Sequence, residues 1–142
     1  MITLALFEKM AADGVADLIK NENFFWEEMP LQRDGKPAAG VWLITRSGDA
    51  AASPKGLNLK TTVDIYVATA NKVETEATHQ QILEWLIVNP SICYLHGTIG
   101  GRNYAFENIR IRPASTPENA GATTNGLIVK IASATLTYDL SI

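Results

Sequence analysis

His79, Cys93 and His96 are the residues of this chain whose types suit metal binding or nucleophilic chemistry. Cys93 and His96 stand three apart, a spacing that can start a metal site. A closed zinc site takes four ligands. The only other histidine is His79, and there is no second cysteine. A lone thiol buries readily, so Cys93 reads as a structural residue. His79 falls one turn before Ile82 and Leu83 and is expected at the rim of an apolar helical face. An imidazole there titrates near neutral pH without needing any role in chemistry.

The stretch His96-Gly97-Thr98-Ile99-Gly100-Gly101 invites comparison with the glycine-rich oxyanion loops of hydrolases. Their partner signature, G-x-S-x-G, is absent, and the glycines fit neither the dinucleotide nor the P-loop pattern. A turn is the better reading. Glu27 and Glu28 are adjacent, so on a strand they point to opposite faces and cannot act as a pair. Glu74 and Glu76 are explained by a helix N-terminus, where negative charge is favourable.

Arg110 and Arg112 share one face of a predicted strand, with Tyr104 and Phe106 expected further along it. Arginines and aromatics interleaved on a sheet can bind single-stranded nucleic acid. The net charge of −3 and the lack of an RNP-like motif argue against that use. Protein–protein contact is more economical, since Arg, Tyr and Trp are enriched at interface hot spots. A plain solvated face explains them equally well.

The elements that position these residues follow from periodicity. In 57–67, odd positions are mostly apolar and even positions mostly polar, the period of a strand with one buried face. Asn71 then opens a helix over 72–88. Asn71 and Glu74 have capping-box spacing, Ile82, Trp85 and Leu86 form the apolar face, and Pro90 stops it. A first helix is predicted over 3–20, with Thr3 as cap and Leu4, Phe7, Ala11, Val15 and Leu18 on one face. Short strands are predicted at 24–29 and 41–45, with a turn at 33–37 between them. Residues 92–102 read as a connection made of tight turns. Strands follow at 104–113 and 127–140. The last strand changes apolar phase near Ser133, which a β-bulge or burial of both faces would explain.

The expected fold is therefore α+β, a single domain over 1–142. It has a mostly antiparallel or mixed sheet of about five strands, with two helices on one face and mobile loops near 46–56 and 114–126. Hydrophobic residues are 46% and charged residues 19%, as in a folded domain. Charge is uneven: 1–31 carries two basic and six acidic groups, whereas 32–60 carries five basic and two acidic. No basic leader precedes the first apolar residues, and 82–88 is too short to span a bilayer. With one cysteine and no intramolecular disulfide, a soluble, cytoplasmic protein is expected.

The element order and the two long loops resemble the tail terminator (minor tail, or tail-completion) proteins of long-tailed bacteriophages and related prophages. The resemblance spans nearly the whole chain as an ordering. It includes the texture of Leu57-Asn58-Leu59-Lys60-Thr61-Thr62-Val63-Asp64-Ile65-Tyr66-Val67 followed by the helix over 74–88. It implies a structural protein of virion assembly that forms a hexamer ring, caps the tail tube, ends tail polymerisation and makes the head–tail joining surface. The implied partners are further copies of itself, the tail-tube protein and the head–tail connector protein. Membrane binding and direct nucleic-acid recognition are not expected, nor are a cofactor, a metal or an enzymatic activity. The implied location is the bacterial host cytoplasm during assembly, then the head-proximal end of the virion tail. Arg46, Lys55, Lys60, Arg110 and Arg112 are the interface candidates, chosen on residue type. The competing readings are a head–tail connector or minor capsid protein, a small enzyme using His79, Cys93 or His96, and a nucleic-acid-binding module with steep salt dependence.

Overall fold

Two α-helices cover one face of a mixed sheet in the computed structural model, which describes residues 2–51, 58–99, 101–113, 121–123 and 125–141. The side chains of residues 47–51, 93, 99, 102, 104, 140 and 141 are outside the description. In chain order the elements are α1 (Ile2–Ala12), a 3₁₀ turn (Val15–Asp17), β1 (Phe24–Trp26), β2 (Gly40–Ala51), β3 (Asn58–Thr69), α2 (Lys72–Val88), β4 (Ser91–Ile99), β5 (Arg102–Pro113), β6 (Gly121–Ala122) and β7 (Ile128–Ser141). The sheet runs β1-β2-β3-β7-β5-β4, with the short β6 on β7. Among the described strands, β1 pairs with β2 in parallel and the other strand pairs are antiparallel. The α+β class holds, but the sheet has seven strands among the described residues rather than about five. No described helix is long and apolar enough to cross a membrane.

The extra strands come from segments read as connections. Residues 91–99 are a strand, with Gly97 inside it opposite Tyr104, and Gly101, at φ 79°, serves the following turn. Polar and small residues suit this strand because it lies at the sheet's edge, where one backbone side and one face meet solvent. Similarly, 46–51 extend β2 into the expected loop, through two register shifts. Residues 52–56, 114–120 and 124 of the two expected loops lie outside the described residues, and 121–122 of the second form the short β6.

The first helix is shorter than its apolar spacing suggests. Gly14, at φ 66°, ends the run, and Ala16 and Asp17 also take left-handed backbone angles. The buried face is Ile2, Ala5, Leu6 and Met10 with Phe7, rather than one centred on Leu4 and Ala11. Thr3 lies within the helix, not at its cap. It is buried, receives the Trp26 indole N–H at 3.0 Å and lies 2.9 Å from Thr45 Oγ1.

The second helix begins as expected: Asn71 Oδ1 accepts the Glu74 N–H at 2.8 Å. The reciprocal half of the box is replaced, because the Asn71 N–H donates to Thr69 Oγ1. Thr75, His79, Ile82 and Leu86 face the sheet, while Trp85 is half-buried and donates its indole N–H to Asp13. The core between helices and sheet joins Leu6, Met10, Ile82 and Leu86 to Val63, Ile65, Val67, Ala132, Ala134 and Leu136.

The phase change in the last strand has a plain cause. Pairing of β3 with β7 runs without a shift from Asn58↔Asp139 to Thr69↔Ile128, so no bulge at Ser133 interrupts this ladder. Leu127 and Val129 instead pack on the opposite face, in a second cluster with Trp42 and Ala68. Trp42 and Tyr66 stack there with centroids 5.2 Å apart. Both faces of this end of the sheet are apolar and covered.

Candidate functional site: the open face of the sheet

Beyond that second cluster, the face opposite the helices is polar. Alternation along β3 sends Val63, Ile65 and Val67 into the core and Asn58, Lys60, Thr62 and Asp64 to the other side. The register then builds rows across three strands. Lys60, Thr137 and Arg110 form one row, and Thr62, Thr135 and Arg112 the next. Ile109 and Ile111 point into the core, so Arg110 and Arg112 stand exposed on the open side as their alternation predicts.

Phe106 does not share that face. Between Glu107 and Arg110 the pairing of β5 with β7 shifts, and Asn108 takes φ 50°. This bulge changes the alternation, so Phe106 turns into the core and meets Tyr138 edge-on at 5.3 Å. The side chain of Tyr104 lies outside the described residues. The expected interleaving of arginines with Phe106 is therefore corrected.

The bulge also makes a cleft of about 730 Å³, lined in part by Asn58, Asn108, Arg110, Arg112, Thr137 and Asp139. Asn58 and Asn108 each donate to one oxygen of Asp139, at 3.0 Å. These two amides hold the Asp139 carboxyl below the usual carboxylate range. Arg46 sits at a register shift of β2 and pairs with Asp64 at 2.8 Å, and Ser133 donates to the same Asp64 oxygen. By contrast, Lys60, Arg110 and Arg112 make no ion pair or side-chain hydrogen bond among the described residues. Four of the five interface candidates thus lie on one face, and three of them present uncommitted donors. Lys55 lies outside the described residues.

The residues suited to metal or nucleophilic chemistry do not converge. His79 is not at a rim: it is 2% exposed beneath the sheet, and its Nε2–H donates to the Ile131 carbonyl at 3.3 Å. Burial pushes its imidazole below the ordinary value of 6.5, against the opposing effect of that hydrogen bond. Nearby, Lys130 pairs with Glu76 at 2.6 Å and lowers the Glu76 carboxyl. His96 is exposed on β4, stacked on Tyr94 at 4.9 Å. The side chain of Cys93 lies outside the described residues. Among the described residues, no group of three or more His, Cys, Asp or Glu comes together to hold a metal.

Glu27 and Glu28 do not alternate on a strand either. Glu27 follows β1 at φ 56°, and its carboxylate accepts the Thr45 N–H and hydroxyl. Sequence reasoning missed the Asn58–Asp139–Asn108 cluster. Its signal was the apolar spacing Phe106, Ile109, Ile111, which breaks period two at the bulge. Chemically, the face offers guanidinium, ammonium, amide and hydroxyl donors suited to carboxylates on a partner. Compared with known proteins, the chain matches no family model and no curated sequence.

Proposed function

We propose that the chain is a ring-forming structural protein of virion assembly: a tail terminator that caps the tail tube, ends its polymerisation and forms the head–tail joining surface. The observation that supports this reading is the gathering of Lys60, Arg110 and Arg112, all without partners among the described residues, on the face the helices leave open. The opposite layer carries exposed Asp17, Glu74 and Glu84 on or beside its helices, while Asp13 there is already paired with Lys9. Unpaired cations in front and exposed carboxylates behind suit heterologous, front-to-back contact, the interface type that closes into a ring. Assembly of this kind makes and breaks no covalent bond. The protein would act in the bacterial cytoplasm and then at the head-proximal end of the tail.

Light scattering across concentration and salt, with and without tail-tube protein, tests the proposal. A hexamer's mass or a multiple of it is expected, formed by the chain alone or driven by the tube. Addition of head–tail connector protein should then bind the assembled ring. A mass that stays monomeric or dimeric at every concentration and ignores tube protein would overturn the reading.

A further inference from the structure

We infer that the free edge of β4 is a self-association site, where β4 of a second copy adds antiparallel to extend the sheet across a twofold axis. The two edges of this sheet are built differently. At one end β1 is only three residues long, and Glu27 at φ 56° bends the chain away directly after it. Such shortening protects an edge from unwanted pairing. At the other end β4 runs nine residues, Ser91–Ile99, without a charged residue or a proline. Among the described residues it pairs only with β5. Its outer backbone groups are left as a template for another strand, and none of the usual blocking devices is present in its sequence.

The strand is also complementary to itself. Leu95 is its midpoint, so antiparallel pairing centred on Leu95 uses its whole length, about 30 Å at roughly 3.3 Å per residue. That register sets Tyr94 opposite His96 of the second copy, twice, by symmetry. The two rings already stack within one chain at 4.9 Å, and Tyr94 is 47% exposed, an unusual state for an aromatic ring on a regular strand. Cross-strand aromatic pairs favour such a register. The absence of charge on β4 means that no like charges meet when the strand faces itself.

This contact is separate from the front-to-back contact of the ring, because it uses an edge and not the open face. It joins free copies in pairs, or two rings back to back. The test is the solution mass of three forms, with backbone hydrogen exchange on the unaltered chain. The unaltered protein should show even-numbered species, and the outward amides of 91–99 should gain protection as concentration rises. Tyr94→Lys with His96→Lys sets like charges opposite each other and should weaken pairing by about tenfold or more, halving the mass. Mixing that form with Tyr94→Glu/His96→Glu should restore the paired mass. Equal masses for the unaltered and double-lysine forms would overturn the inference. So would outward β4 amides that stay unprotected at every concentration, a result that stands even if a variant fails to fold. A double-lysine form that still makes single rings would leave the ring proposal standing; an unaltered chain that pairs through β4 but makes no ring would count against the ring alone.

Discussion

The two faces of the sheet are made by the same strands, yet they differ in what each residue is for. Along β7, Ala132, Ala134 and Leu136 point toward the helices and are fully buried, while Thr135 and Thr137 point away and are half-buried. On β5 the same division separates Ile109 and Ile111 from Arg110 and Arg112. One face closes a core with no described buried side-chain polar atom left unpartnered. The other holds Lys60, Arg110 and Arg112, which have no ion-pair partner among the described residues. Burial explains the first face completely. Apart from the Trp42 cluster and the hydrogen bonds of Asp64 and Asp139, the contacts of the second face reveal no role in folding for these cations, and this is why it is the natural place to look for a partner.

The sharpest way to break this comparison is to truncate neighbouring residues on one strand. Leu136→Ala should cost about 2–5 kcal/mol through lost burial and a cavity. Thr137→Ala, one residue away, should change stability by only about 0.5 kcal/mol. Urea unfolding of the two variants checks the contrast, and equal losses would mean that the open face also carries the fold. A smaller effect belongs to Tyr138→Phe. It removes the hydroxyl that lies 2.9 Å from Thr61 Oγ1 in the core, and should cost about 1 kcal/mol by the same measurement.

The faces also differ in how they respond to acid. His79 lies beneath the covered face with its pKa lowered in the folded state by burial. The unfolded chain therefore binds the proton more readily, so stability from this group is present above about pH 6.5 and falls as pH drops through that value. On the open face, Asp139 is lowered by its two amide partners, so its contribution is kept above 3.8 and lost only below it. Thermal midpoints between pH 5 and 8 should decline toward acid in the parent protein and decline less in His79→Gln. Asp139→Asn should lower the midpoint evenly across that window without changing its slope, and should flatten the response only near pH 4 and below. An undiminished slope in His79→Gln would assign the acid response to other groups.

Much of the covered face was legible in the sequence. Period two in 57–67 and the Asn71–Glu74 spacing are local patterns, and local patterns specify a strand and a helix start directly. The same holds for Arg110 and Arg112, whose side of the sheet follows from their isoleucine neighbours. What the sequence hid depends on contacts distant in the chain. His79 looks like a polar rim residue until the Ile131 carbonyl, 52 residues on, gives it a partner. The β4 strand looks like a set of turns because glycine and polar residues at an edge need no partner on their outer side. Gly14 cut the first helix although its apolar spacing continued beyond it, since backbone geometry there outweighed the pattern. The bulge at Asn108 was visible only as a broken rhythm, and the cleft it makes could not be placed without the register of β5 on β7.

The central claim is that the open face is an assembly surface. It is tested most directly by reversing charge where partners are lacking. Lys60→Glu combined with Arg110→Glu and Arg112→Glu should leave the thermal midpoint close to that of the parent chain, since none of the three pairs with a described residue. Light scattering with tail-tube protein should then show the parent chain in rings and the altered chain unable to form or bind them. An altered chain that folds, forms rings and caps the tube as the parent does would contradict the account.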